Sequence, residues 1–490
     1  MIRNGLIHLV LILAFASFQV NAKGKVKMVS SKKEIIDITA SLSSGDTLLV
    51  EEGTYKDLNW VIRAQGTFRT PVVIKAKKGG KVKITGNSHV ELRGSYIVFD
   101  GFLFCNGARD PKQWRSHGPG LIAIYGSFNR ITNCKVDNFD QANSAYITTS
   151  LNEKGEVPLY CRIDHCSFTN KKTLDQVINL NNRIHQRSKE SAPAMYHRID
   201  HCYFNNPFKK SGNAGGGIRI GYYRNDVGRC VVDSNLFVSH NSEPEIITSK
   251  CRENFFYANT FVDCRGTLNF RHGDRQVMIN NFFLTKNEKQ GCGGAFIWGS
   301  EHLIACNYFQ LGSLIKERGN AALYINPGAE DVEHALGFNL SIVNNMFVNN
   351  NGLAIHFEPL RARREAGCVK RNYTFALPYD LKIKGNIFYQ DKFLNSPFFY
   401  TSQTPNQLGV FSENFFYGAS TGFGTNPPGM TQRKMRLKKN KHGIYQRPKK
   451  FSYVLSKPMT IEGLDWDFSK LASEGIKGSP LNESEVGPKW

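Results

Sequence analysis

After its first 22 residues the sequence lacks any apolar run long enough to cross a membrane. A bilayer span needs ~20 consecutive apolar residues, and no later segment of the 490 residues supplies one. The sequence also lacks the regular cysteine spacing of a zinc site or a disulfide framework, although it holds 11 cysteines. We therefore expect no membrane span in the mature chain, and we assign the cysteines no chemistry.

Acidic residues are scarce relative to basic ones. The chain has 41 Asp and Glu against 63 Lys and Arg, which gives a formal net charge of +22. A field of that sign attracts polyanions such as nucleic acid, anionic lipid or an acidic polysaccharide. The location of the protein decides among these partners.

Residues 1–22 predict a cleaved secretory signal peptide. Arg3 precedes an apolar stretch from Leu6 to Phe18, and the segment closes on a small-x-small cleavage signature at 20–22. The alternative is an uncleaved anchor, but the apolar stretch is shorter than the ~20 residues of a span. We expect a secreted or periplasmic monomer. Nucleic acid is scarce there, so an acidic polysaccharide becomes the expected partner.

A short phrase recurs along the chain at intervals of 22 to 41 residues. A typical copy is Ile163-Asp-His-Cys166-Ser-Phe168, in which apolar and polar residues alternate around a Cys or Asn. Repeats of this size indicate a solenoid or a propeller. The ten marker positions are Cys134, Cys166, Cys202, Asn235, Asn259, Asn281, Asn307, Asn345, Asn386 and Asn414.

The repeats predict an all-β solenoid, a parallel β-helix. Each phrase is rich in β-branched and aromatic residues and is bounded by turn residues, which is typical of short strands. Irregular intervals disfavour a propeller, whereas a β-helix tolerates loops of any length between strands in register. We expect the recurrent Asn, Cys and Phe to stack as interior ladders. The alternative is a two-sheet sandwich.

The two ends of the chain carry their own signals. Ser31 and Glu34 match a helix capping box, which predicts a short N-terminal helix that covers the open end of the first coil. Residues 45–55 then read as the first strand and turn. We place the β-helix domain at 23–425 and a basic C-terminal extension, packing on or capping the solenoid, at 426–490. Within it, residues 433–450 hold nine Lys or Arg and no acid, which indicates either a solvated loop or a polyanion-contacting arm.

The segment from 213 to 245 has the donors of a calcium site. Glu243 and Glu245 are two residues apart, so on a strand both carboxylates point to one face and repel each other. A hard cation resolves that repulsion, and oxygen ligands from these two residues and Asn213 suit calcium. Pro244 cannot donate to a ladder, so we expect an irregular strand. The alternative is a pair of solvated surface glutamates.

Lys250 and Arg271 fall about one coil apart, so stacked coils place them side by side. Positive neighbours lower the pKa of a lysine and make its neutral amine available as a base. The alternative is an inert surface lysine.

At these residues the chain resembles polysaccharide lyase family 6, and within it the chondroitinase B type, which acts on dermatan sulfate. The resemblance is densest from about residue 85 to 365. The matching stretches are SHGPGLIAIYGSFNRIT, NSAYITTSL, CRIDHCSFT, DQVINLNN, GNAGGGIRIGYYRND, EIITSK, NFRHGD and RGNAALY.

The resemblance implies a right-handed, single-stranded parallel β-helix that cleaves uronate-containing chains by β-elimination. It implies Ca²⁺ bound by Asn213, Glu243 and Glu245, with Lys250 as the base and Arg271 as the acid. His272 and Glu333 match positions near the reaction centre. The residues expected to bind substrate are His117, Arg219, Phe296, Trp298, Arg318, Arg363 and Arg364.

Two alternatives to a dermatan sulfate lyase stay open. Arg361, Arg363 and Arg364 suit sulfated sugars, because guanidinium groups match multi-oxygen anions; alginate lyases share the family, however, and lack a sulfated substrate. The chain also carries His185 where the chondroitinase B type has an arginine. A non-catalytic β-helix that only binds acidic glycans is the alternative from another class.

Overall fold

The computed structural model describes residues 24–108, 110, 118–139, 144–182, 192–208, 215–287, 290–329, 333–360, 376–391, 396–448, 453–455 and 459–490. Its strands form three long parallel sheets, A, B and C, that the chain visits in turn, one strand of each per coil. This is the predicted parallel β-helix, and the prediction is confirmed. Within the part described, no helix is long and apolar enough to span a bilayer.

Sheet A has 14 strands. In order they are Val26–Val29, Thr47–Val50, Val72–Ala76, Ile97–Asp100, Arg130–Thr132, Arg162–Asp164, Arg198–Asp200, Val231–Asp233, Phe255–Tyr257, Val277–Ile279, Leu303–Ala305, Ser341–Val343, Leu381–Lys384 and Gly409–Ser412.

Sheet B also has 14 strands. They are Gly53–Lys56, Val82–Gly86, Leu103–Gly107, Lys135–Asp137, Ser167–Thr169, Tyr203–Asn205, Leu236–Val238, Thr260–Val262, Phe282–Leu284, Tyr308–Gln310, Met346–Val348, Ile387–Tyr389, Asn414–Tyr417 and Met430–Gln432.

Sheet C has 12 strands. They are Asn59–Ile62, His89–Leu92, Ile122–Ile124, Ile147–Thr149, Ile178–Leu180, Ile218–Ile220, Glu245–Ser249, Thr267–Phe270, Ala295–Ile297, Ala321–Ile325, Leu353–His356 and Phe399–Tyr400. A two-stranded sheet pairs Gly291–Cys292 with Ser313–Leu314. The helices are Lys32–Thr39, Pro405–Leu408 and Phe468–Ser473, with 3₁₀ turns at Lys316–Arg318 and Glu483–Glu485.

Asparagine and phenylalanine stack inside the solenoid as predicted. From Asn235 to Asn414 the fully buried asparagines form a ladder at the turn from sheet A to sheet B, and each Nδ2 donates to Oδ1 of the next asparagine at 3.0 Å. The residue before each asparagine has a left-handed φ, so backbone groups at the turn lack hydrogen-bond partners within a strand. The side-chain amide of the asparagine supplies those partners. Next to the ladder, phenylalanine rings from Phe204 to Phe388 stack with centroids 4.5–5.1 Å apart.

The cysteine markers are buried, as expected. Cys134, Cys166 and Cys202 occupy the ladder position in the earlier coils and are at most 1% exposed. All ten cysteines in the described ranges are free thiols. Burial raises the pKa of Cys161 to about 12, and such thiols are inert.

The N-terminal helix begins where the capping box predicted. Ser31 is the N-cap of Lys32–Thr39, and both reciprocal hydrogen bonds with Glu34 are present. The prediction that residues 45–55 hold the first strand is wrong, because Val26–Val29 precedes the helix and pairs with Thr47–Val50. It lies at the end of sheet A with Val26 and Met28 exposed, so it lacks the apolar pattern of a buried strand.

The C-terminal residues run back along the outside of the solenoid. Strand Met430–Gln432 lies past residue 425, so the last coil reaches into the predicted extension. Farther on, Phe468 packs against Phe255 on the outer face of sheet A, and Val486 packs against the earlier strands of sheet B. The last residue, Trp490, donates its indole N–H to the carbonyl of Asn133 at 2.7 Å.

Candidate active site

The central strands of sheet C hold one outward row of polar and aromatic side chains. Arg219, Thr248, Asn269, Phe296 and Tyr324 occupy successive positions in register. Apart from Ser249, their neighbours along each strand are apolar residues of the solenoid core, because successive strand residues point to opposite faces. The row therefore brings residues that are far apart in sequence onto one surface.

Two carboxylates lie beside this row, as the sequence predicted, but on different kinds of backbone. Glu245 begins its strand, and the register shifts between Glu245 and Ile247, which is the irregularity expected after Pro244. Glu243 precedes the strand in a bend, so the expectation that both residues share one strand is wrong. Both are nonetheless buried, with 3% and 7% of their surface exposed.

Glycine permits the close approach of Glu243. A Cβ on Gly216 would lie 2.7 Å from Oε1 of Glu243, and the Gly216 amide donates a hydrogen bond to this carboxylate. Burial, followed by the charge of Glu245, raises the pKa of Glu243 to about 7. The pair is thus held together despite its mutual repulsion.

Glu245 is surrounded by donors. Arg271 donates to its Oε1 at 2.5 Å, and an Arg318 nitrogen lies 3.7 Å from the same oxygen. The Thr248 hydroxyl donates to Oε2 at 2.9 Å. Burial alone would raise the pKa of Glu245, but the charges of Arg271 and Arg318 outweigh it and lower the pKa.

The donor set fits a hard cation such as Ca²⁺. Glu243 and Glu245 offer buried carboxylate oxygens of the kind that calcium prefers, and burial beside Glu245 raises the pKa of Glu243. Within the described ranges, no three His, Cys, Asp or Glu residues cluster as a metal site. A complete shell therefore needs further oxygen ligands, and Asn213, the predicted third ligand, lies outside the described residues.

Lys250 follows the strand that Glu245 begins. Burial, followed by the charges of Arg219 and Arg271, lowers the pKa of Lys250 to about 8. Its Nζ lies 5.8 Å from the centre of the Tyr222 ring. This lysine can therefore supply a neutral amine near neutral pH, unlike a solvated surface lysine.

His272 and Glu333 form a pair on the same side. Nδ1 of His272 lies 2.7 Å from Oε2 of Glu333. Burial lowers the pKa of His272, whereas the hydrogen bond from His272 lowers the pKa of Glu333. The His272 ring also meets His334 edge-on at 4.6 Å. The pair thus places polar side chains next to Arg271.

Phe296 and Trp298, the aromatic residues expected to line a groove, are covered by neighbouring side chains. The Arg318 guanidinium lies 4.4 Å from the centre of the Phe296 ring, which is fully buried. Trp298 is 8% exposed and packs against Phe296 and His334. A sugar can reach the Phe296 ring only if Arg318 moves aside.

Four of the predicted site residues lie outside the described residues, and so do His185 and Arg361. The four are His117, Asn213, Arg363 and Arg364. The structure brings together Arg219, Glu243, Glu245, Lys250, Arg271, His272, Phe296, Trp298, Arg318 and Glu333.

Sequence reasoning missed three polar residues of this surface. The Tyr222 hydroxyl accepts hydrogen bonds from Arg219 at 3.1 Å and from Asn179 at 3.2 Å. Asn269 is buried, and its Oδ1 has no hydrogen-bond partner among the described residues. Aligning the repeats in register could have found Asn179 and Asn269, because both occupy the outward row of Arg219.

Comparison with known proteins places the chain in a family. A family model described as Chondroitinase B matches residues 29–467, and no curated protein sequence matches the chain. A solved alginate lyase, AlyGC, has 20% identity and a TM-score of 0.73 over 95% of this chain. This chain spans only 58% of the length of AlyGC.

Two further solved structures match this chain over almost their full length. A polysaccharide lyase from Pseudopedobacter saltans has 19% identity and a TM-score of 0.66, with 94% of this chain and 99% of that chain covered. A mannuronic acid specific lyase from the human gut microbiota has 22% identity and a TM-score of 0.64, with coverages of 84% and 91%. At these identities the likeness concerns the fold, and the family model carries the assignment: the chain belongs to the Chondroitinase B family.

Proposed function

We propose that the protein is a secreted lyase that cleaves dermatan sulfate by calcium-assisted β-elimination and leaves 4,5-unsaturated oligosaccharides. The observation that carries the proposal is the surroundings of Lys250. Its amine has a pKa lowered to about 8 beside Arg219, Arg271 and a buried carboxylate pair. A base poised near neutral pH is what proton abstraction from carbon requires.

The chemical difficulty is the proton on C5 of the uronic acid. It lies next to a carboxylate, and its removal concentrates negative charge on that group. A calcium ion held by Glu243, Glu245 and Asn213 would supply Lewis-acid neutralisation of that charge. Arg219 and Arg318 add fixed positive charge on the same surface, and Arg318 is itself buried.

Lys250 and Arg271 divide the elimination between them. Neutral Lys250 takes the C5 proton, and the electron pair of the C5–H bond becomes the C4–C5 double bond. The C4–O bond breaks, and Arg271 stabilises the departing oxygen, which takes a proton from solvent and becomes a hydroxyl while the Lys250 ammonium releases the C5 proton. His272 and Glu333 position Arg271 by filling the adjacent space. No water is added, so the products are an unsaturated sugar and a new chain end.

The family model and the net charge support dermatan sulfate as the substrate. The matching model is named for chondroitinase B, and the net charge of +22 suits a sulfated polymer. The second candidate is alginate, because solved neighbours of this fold include alginate lyases. A binding protein without activity would need the arginines of this surface but not a lysine placed beside the carboxylate pair. Residues 1–22 have the pattern of a signal peptide, so we also propose secretion.

Incubation with each polymer separates these candidates. The purified protein is mixed with dermatan sulfate or alginate, and the ultraviolet absorbance of the new double bond is followed. We expect absorbance to rise with dermatan sulfate. Product from alginate alone would overturn the substrate, and no product from either polymer would overturn the lyase assignment.

A further inference from the structure

A basic hairpin at residues 433–446 packs on the outer face of sheet B, whereas the candidate active site lies on sheet C. It follows the last strand of sheet B, and Lys439 and Tyr445 form an antiparallel bridge within it. The Asn440 amide donates to the carbonyl of Ile444 at 2.8 Å, and the Gln446 amide donates to that of Lys438 at 2.7 Å. Gly443, with a φ of +77°, closes the turn. The segment is therefore an ordered hairpin.

Apolar residues anchor this hairpin to sheet B. Leu437, Ile444 and Tyr445 are buried against the outward residues of the last coils. The Tyr445 amide donates to the Tyr308 hydroxyl at 3.2 Å, and the Tyr445 hydroxyl donates to Asp391 at 2.7 Å. A loop whose only role is to be solvated needs no such anchors.

The anchored hairpin holds its cations in an exposed cluster. Its six Lys and Arg residues are all exposed, and it contains no acid. Among the residues that the structure describes, Lys434, Lys438 and Lys441 have no ion-pair partner. Like charges held close together repel. The fold therefore maintains a predominantly positive surface, with Asp391 as the neighbouring acid, and such a surface favours an anionic partner.

A cavity of about 800 Å³ opens between the hairpin and sheet B. Three cationic residues, Lys434, Arg436 and Lys439, line it together with Tyr389, Tyr417 and Tyr445. One acid, Asp391, also lines the cavity, and it accepts the hydrogen bond from the Tyr445 hydroxyl. Guanidinium and ammonium groups bind sulfate and carboxylate oxygens, while tyrosine combines an apolar ring with a polar hydroxyl. Acidic sugars present both kinds of surface. The cavity also has the size range of ligand sites.

We propose that the basic hairpin and this cavity form a second binding site for the acidic polysaccharide, on the face of sheet B and separate from the candidate active site on sheet C. The proposal rests on the proposed function, because the ligand is the same polymer. A long chain that engages both faces binds with avidity, whereas a short oligosaccharide occupies one site at a time.

A charge-removal variant tests the second site. The three cations of the cavity are changed together, Lys434→Gln, Arg436→Gln and Lys439→Gln. The matched control changes three exposed lysines of the early coils, Lys78→Gln, Lys81→Gln and Lys83→Gln. Binding of polymeric dermatan sulfate is measured with Lys250→Met also present so that the polymer stays intact, and turnover of a tetrasaccharide is measured with Lys250 retained.

We expect the hairpin variant to lose polymer affinity by about tenfold or more, since bivalent attachment contributes on that scale. Its kcat/KM on the tetrasaccharide should match that of the control variant. Equal polymer affinity in the hairpin and control variants would overturn the second site, even if the enzyme cleaves dermatan sulfate. A protein that cleaves neither substrate but shows the affinity loss would overturn the lyase proposal and support the second site.

Discussion

Burial and two neighbouring arginines each lower the pKa of the Lys250 amine. A lysine base acts in its neutral form, which predominates above its pKa. We therefore expect kcat/KM to rise with pH and to level off above about 8, the pKa that the folded protein gives this amine. The pH profile of kcat/KM on dermatan sulfate measures this directly, because it reports the free enzyme.

The variant Arg219→Ala sharpens this prediction. Removing a positive neighbour raises the pKa of Lys250, so the rising limb should move to higher pH by on the order of one unit. An unshifted limb, with only KM increased, would show that Arg219 binds substrate and does not tune the base.

The carboxylate pair predicts that calcium affects both turnover and thermal stability, and the effect on stability can be measured without an activity assay. Removal of divalent ions with a chelator should abolish turnover and leave the β-sheet circular dichroism unchanged. Returning Ca²⁺ should raise the thermal midpoint, because an ion that binds only the folded state stabilises it. The variant Glu243→Gln should lose most of that rise. Full activity in thoroughly chelated protein would contradict a role for calcium.

Spacing predicted only part of the residue chemistry, and residues such as His272, Arg318 and Glu333 were predicted from the family resemblance. The proximity of Lys250, Arg271 and Glu245 follows from coils that stack in register. The bend at Glu243 and the cover of Phe296 by Arg318 could not be predicted, because loop geometry and long side-chain conformations leave no periodic signal.

At the scale of elements, the asparagine ladder fixes the turn between sheets A and B. Asn307 donates to Asn345 and to the Met278 carbonyl, and it accepts from both the amide and the side chain of Asn281. The variant Asn307→Ala leaves these buried partners unsatisfied, so we expect a loss of about 3 kcal/mol in the free energy of unfolding.

Chemical denaturation of Asn307→Ala beside the exposed Asn351→Ala checks this value. The control should change stability by less than about 0.5 kcal/mol. Equal effects at both positions would mean that the ladder is dispensable. The ladder was predictable because its spacing repeats, whereas the edge strand Val26–Val29 was missed because its side chains are largely exposed.

At the scale of the whole molecule, the C-terminal tail covers apolar surface that the solenoid leaves outside. Phe468 is fully buried, and its ring lies 4.8 Å from that of Phe255. We expect Phe468→Ala to lower the free energy of unfolding by about 3 kcal/mol and to promote aggregation. Its kcat should stay unchanged, because the candidate active site lies on sheet C.

Thermal unfolding with light scattering measures this effect, and Val454→Ala, at a position with 69% exposure, serves as the control. A Phe468→Ala protein as stable as Val454→Ala would contradict a stabilising tail. The sequence predicted an extension that packs on the solenoid, but its path back to Asn133 depends on tertiary contacts that no local pattern records.

The central claim is that Lys250 removes the C5 proton, and the variant Lys250→Met tests it most directly. The initial rate of double-bond formation from dermatan sulfate is measured by ultraviolet absorbance for wild type and variant at pH 8. Loss of a general base costs on the order of 10²- to 10⁴-fold, so we predict a fall of that size with polymer binding retained. A variant that keeps its rate within a few-fold of wild type would contradict the account.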